Sequence, residues 1–144
     1  MNLNEDIKHL CFDKDGVLID VHAYWRHTTE IRANFLKKEF KLSSNQNIEL
    51  IENMGIDTIS GKIKQNGPIG YKPRKSIIDV VRKTLESLSI EISIKQLEQH
   101  FLIIDKYQQE KNDFHIKILD GVLDFLNDHH NKFIFTIFTF CTCS

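Results

Sequence analysis

The stretch Cys11-Phe12-Asp13-Lys14-Asp15-Gly16-Val17-Leu18-Ile19-Asp20 decides how this chain is read. The apolar run Ile7 to Phe12 leads into it. That run is too short for a helix, so a buried strand running into a tight turn is expected. Asp13 then stands at the strand's carboxyl end, where parallel sheets carry their catalytic groups, and Asp15 follows two residues later. Like charges this close are costly unless a cation or a proton sits between them; Mg2+, a hard divalent ion, supplies such a partner. Where their environments separate the two carboxyl groups, one can act as nucleophile and the other as acid and base. A solvated Asp/Gly turn has the same composition. A calcium EF-hand loop does not fit, because Tyr24 occupies the position of its bidentate Glu and the expected third acid is missing.

Outward from this loop the pattern becomes helical. From His22, the residues Tyr24, Ile31, Phe35 and Leu42 share one side, with charges between them. Ser43 with Gln46 predicts a capping box for a helix through Met54, closed by Gly55, and Ser93 with Gln96 predicts another. The second of these opens a helix whose face is Leu97, Phe101, Ile104 and either Tyr107 or Gln108. Between the two boxes, Gly61 to Arg74 holds three of the six glycines and both prolines and is the main loop. Pro73 starts a helix to about Leu88 with Ile77, Val80, Val81, Leu85 and Leu88 as its core positions. Asp120-Gly121 opens a short amphipathic helix (Val122, Phe125, Leu126), and Phe133 to Phe138 is a second strand. Two strands separated by so much helix read as an α/β core whose first crossover holds a helical insertion.

Composition narrows the classes. The chain has 144 residues, 41% hydrophobic and 27% charged, with a net charge of -1. These are the values of an ordinary globular protein, and they argue against a dedicated nucleic-acid binder. The start is polar and acidic, unlike a signal or transit peptide, and no apolar run approaches the roughly 20 residues of a bilayer span. No nucleic-acid partner, no membrane and a cytoplasmic location are therefore expected. Cys11 is read as a small buried hydrophobe, while Cys141 and Cys143 lack a second pair for a zinc site.

The segment Asp13 to Asp20, D-K-D-G-V-L-I-D, resembles the first motif of the haloacid dehalogenase-like (HAD) hydrolase superfamily, D-x-D-G-[TV]-L-x-D. Ile118-Leu119-Asp120-Gly121-Val122, followed by a helix and a strand, resembles the family's return from cap to core. The resemblance implies a Rossmann-type α/β core, with only its first and second strands present, and a large α-helical cap inserted after the first strand. On this reading residues 1–20 are core with the catalytic loop, 21–117 the cap, and 118–144 the return to core. Such caps occur in phosphoglycolate-phosphatase-like and β-phosphoglucomutase-like members, where they exclude water and choose the substrate.

The implied chemistry is Mg2+-dependent hydrolysis of a small phosphorylated metabolite. Asp13 would attack phosphorus to form an aspartyl-phosphate, and Asp15 would protonate the leaving oxygen and then activate water. The Asp13 carboxylate and the Asp15 backbone carbonyl would hold Mg2+. Gly16 and Thr139 would contact the phosphate, with Thr136 as the alternative register for the threonine. A phosphomutase uses the same first motif.

Lys62 to Lys83 carries seven Lys/Arg and one acid, Asp79; a solvated basic face explains most of them, and steering of an anionic substrate is the functional reading. Lys72 and Arg74, with Tyr71, are the better candidates for substrate contact, together with Arg26 just after the motif. Trp25 is assigned to core packing, and His129-His130 to the carboxyl end of a short helix.

The family's third motif (Lys or Arg) and fourth motif (an acidic pair) are not found before Ser144, and Phe140 follows Thr139 where a small or polar residue is usual. The chain therefore reads as the front part of a longer hydrolase, with weakened metal affinity, an exposed core edge open to self-association, and a non-catalytic interaction module as the alternative reading.

Overall fold

The computed structural model describes residues 8–139. Over these it is a small mixed α/β fold with five helices and a two-stranded parallel sheet. In chain order the elements are β1 (His9–Asp13), α1 (Val21–Phe40), α2 (Ser44–Met54), α3 (Arg74–Ser87), α4 (Ile94–Lys111), α5 (Val122–His129) and β2 (Ile134–Phe138). The chain divides into two compact units, one formed by Met1–Val21 with Ile116–Ser144 and the other by His22–His115. None of the described helices is long and apolar enough to cross a membrane.

The helical unit holds the hydrophobic core. Leu36, Leu50, Met54, Val81, Leu85, Leu97 and Phe101 are fully enclosed in one cluster, each side chain contributing about 1.5–3 kcal/mol by leaving water. Both capping boxes form. Ser43 Oγ accepts from the Gln46 amide at 3.2 Å while Gln46 Oε1 accepts from the Ser43 amide at 2.8 Å. Ser93 and Gln96 repeat the exchange at the start of α4. Pro73 sits one residue before α3, as its N-cap, and is not its first helical residue. Gly55 ends α2 in the left-handed region at φ 109°, and its backbone runs against that of Gly67.

The inward face of α1 is rotated from the expected stripe. Thr28, Thr29, Arg32, Ala33 and Leu36 are buried, whereas Tyr24, Ile31 and Phe35 are half-buried on its flank. Ala33 and Leu36 join the core cluster and Arg32 reaches Asp105 of α4, so this side of the helix turns inward and the bulkier side chains pack at the edge. On α4, Gln108 is the residue that goes in and Tyr107 stays out, because the Gln108 amide donates to the Asp113 carbonyl at 3.3 Å. Trp25 packs against the core, as expected.

In the other unit β1 and β2 pair in parallel, with His9 opposite Ile134, Cys11 opposite Thr136 and Asp13 opposite Phe138. Phe12 meets Phe125 of α5 edge-on at 6.0 Å and Phe135 at 5.7 Å, so α5 covers one face of the sheet. Alternation along the strands turns His9, Cys11 and Asp13 to the opposite, exposed face. Cys11 is thus exposed rather than buried: it alternates with Phe12, which takes the covered side. Cys141 and Cys143 lie outside the described residues, as does Ile7 at the start of the expected first strand.

Candidate active site

Asp13 is the last residue of β1. Beyond it the chain folds into a wide turn, in which the Lys14 carbonyl accepts from the amides of both Leu18 and Ile19 at 3.1 Å. Gly16, in the left-handed region at φ 77°, donates from its amide to the Ile19 carbonyl at 3.0 Å and closes the turn. A side chain at this position would strain the backbone, which is why glycine sits here. The turn is pinned at its far end. Leu18 and Ile19 are buried, and residues 18–20 pair antiparallel with the returning chain through Leu119 N to Leu18 O (3.0 Å) and Asp20 N to Lys117 O (2.8 Å).

Asp15 lies inside this turn and is paired with Lys14 at 3.2 Å. Both side chains are more than a third exposed, so the pair is screened and contributes less than about 1 kcal/mol. Lys14 was not singled out from sequence; its place between the two acids is the signal that it shares their charge. On the neighbouring strand the Phe138 carbonyl accepts from the Lys14 amide at 3.0 Å, extending the ladder one step past Asp13. Thr139, the next residue, therefore follows at the same end of the sheet and is exposed. Thr136 lies within the ladder opposite Cys11, hydrogen-bonded to His9 Nε2 at 2.6 Å.

Asp13 at the strand end thus leads directly into the turn that holds Asp15 and Gly16, and strand register brings Thr139 to the same sheet end. The three basic candidates lie in the helical unit. Arg26 is exposed and lies over Gly61. Lys72 is exposed beside a 510 Å³ groove that also borders Lys64, Asp79 and Lys83. Arg74 pairs with Asp105.

The donor chemistry suits Mg2+, which is commonly held by one or two carboxylates with waters and substrate phosphate completing its shell. Asp13 offers an exposed carboxylate at the strand end and Asp15 a backbone carbonyl in the turn that follows. Among the described residues no group of three or more His, Cys, Asp or Glu assembles into a dedicated metal cage. Compared with known proteins, the chain matches no known family and no curated protein.

Proposed function

We propose that this chain is a Mg2+-dependent phosphomonoester hydrolase of the HAD type, with a Rossmann-type core and a helical cap, acting on a small phosphorylated metabolite through Asp13. One observation carries the reading. Asp13 ends the first parallel strand and Asp15 follows within a turn closed on Gly16, while Thr139 leaves the adjacent strand at the same end. An oxygen of Asp13 bonds to phosphorus as the ester P–O bond breaks, and Asp15 donates its proton to the departing oxygen. Asp15 then takes a proton from water, whose oxygen displaces Asp13 from phosphorus and restores both carboxyl groups. Thr139 and the turn around Gly16 orient the phosphoryl oxygens. Mg2+, when bound by Asp13 and the Asp15 carbonyl, supplies charge neutralisation, which dominates phosphoryl transfer.

The test is hydrolysis of an aryl phosphate by the purified chain, with Mg2+ and with a chelator, in wild type and Asp15→Asn. Metal-dependent turnover that drops in the variant supports the reading; phosphoryl transfer to a sugar hydroxyl in place of water would make it a mutase. A folded chain without turnover would favour a second reading, an interaction module built on the helical unit. The core cluster lies wholly within that unit.

A further inference from the structure

The helical unit contains a charge arrangement that its own residues do not complete. Arg32 of α1 reaches Asp105 of α4 at 3.5 Å, and Arg74, the first residue of α3, pairs with the other oxygen of the same carboxylate. Both guanidinium carbons lie over the Phe101 ring, at 5.1 and 5.5 Å. Two cations therefore share one carboxylate on an aromatic floor. The Arg32 side chain is only 9% exposed, yet its Nε and Nη1 have no hydrogen-bond partner; Arg74 Nη2 and Thr28 Oγ1, one turn before Arg32 on α1, are likewise buried and unpartnered.

Charged donors left unpaired away from water carry a desolvation penalty that one carboxylate does not offset. Burial accordingly pulls the Arg32 guanidinium below its ordinary range, and the nearby Arg74 charge adds to the effect while Asp105 opposes it. The N-terminus of α3, which begins at Arg74, has no side-chain cap and no acid in its first turn, so its dipole adds positive potential. Water could satisfy single donors but would leave the excess charge. A planar or tetrahedral oxyanion meets both needs, because guanidinium edges bind such groups in bidentate fashion.

We propose that Arg32 and Arg74 form a binding site for a small oxyanion, a carboxylate or phosphate group, with Thr28 as a further donor. The ligand enters past Arg74 and Asp105, whose side chains are 36% and 26% exposed. The site lies within the helical unit and stands independently of the hydrolase reading.

The experiment titrates the full chain with inorganic phosphate against chloride at constant ionic strength, with a chelator present, following the Arg Nε–Hε resonances by NMR. The Arg32 signal is expected to move saturably. Arg74→Gln, at a partly exposed position, should weaken apparent affinity about tenfold, the loss of one charge-assisted hydrogen bond. Asp13→Asn should leave the titration unchanged. An Arg32 signal that does not respond, or that responds equally in Arg74→Gln, overturns the proposal. A response lost in Asp13→Asn and kept in Arg74→Gln also overturns it, since phosphate would then sit at the strand end.

Discussion

Phe138 stands opposite Asp13 across the parallel ladder, and its carbonyl oxygen receives the amide hydrogen of the next residue, Lys14, at 3.0 Å. This relationship fixes the geometry of the candidate site. It sets where β1 stops, where the turn carrying Asp15 begins, and which threonine of T-I-F-T leaves the sheet at that level. A slip of one residue would turn Asp13 toward α5 and the Phe12 position toward solvent.

Gly16 and Gly67 should respond differently to alanine. At Gly16 a Cβ would find only Val21 Cγ1, at 3.9 Å, so the penalty is the left-handed φ alone, about 1 kcal/mol. Gly16→Ala should fold with a melting midpoint lower by a few degrees. An unchanged midpoint would contradict the left-handed turn.

At Gly67 the added carbon would lie 2.6 Å from Gly55 Cα and 3.2 Å from its carbonyl oxygen. Both contacts are backbone and cannot swing aside, so Gly67→Ala should destabilise by about 2–3 kcal/mol or more. Denaturant unfolding checks this: a change below that of Gly16→Ala would refute the close approach.

Ser43→Ala and Ser93→Ala each remove one half of a capping box, at about 1 kcal/mol apiece. The caps belong to different helices and share no partner, so the double variant should lose the sum to within a few tenths of a kcal/mol. Marked non-additivity in urea melts would mean that the two helix starts are coupled.

These boxes were legible in the sequence because capping is local: a hydroxyl and an amide three residues apart suffice. The strands were legible too, from β-favouring runs beside turn residues, with ends displaced by one or two positions. The inward face of α1 was not. Its burial is decided by partners distant in sequence, the core cluster that takes in Ala33 and Leu36 and the Asp105 carboxylate that Arg32 reaches, and not by the bulk of Tyr24 and Ile31. Gln108 likewise needed the Asp113 carbonyl, a partner beyond the helix end. Of the candidate site, Asp13, Asp15 and Gly16 could be read directly because they are contiguous. The Lys14–Phe138 bond and the Arg32–Arg74–Asp105 cluster join residues far apart in sequence, and no short motif announces them.

Glu52 carries a pH dependence. The Lys64 ammonium, then the hydroxyl and amide of Thr58, hold its carboxyl below the usual carboxylate range. A folded-state pKa below the unfolded value contributes stability that is present above the unfolded value, about 4.3 for Glu, and is lost as pH falls through the folded one. Glu52→Gln should therefore be less stable at pH 7 and should lose less on acidification than wild type. Parallel stability–pH curves for the two proteins would contradict this assignment.

The role of Asp13 as nucleophile is tested by Mg2+-dependent hydrolysis of an aryl phosphate by wild type and Asp13→Asn. Asp13 is exposed at the end of β1, so the substitution leaves the core untouched and the variant should melt like wild type. Wild type should turn over, and the folded variant should lose about a thousandfold or more, since the attacking oxygen is gone. Turnover retained in Asp13→Asn would contradict that role.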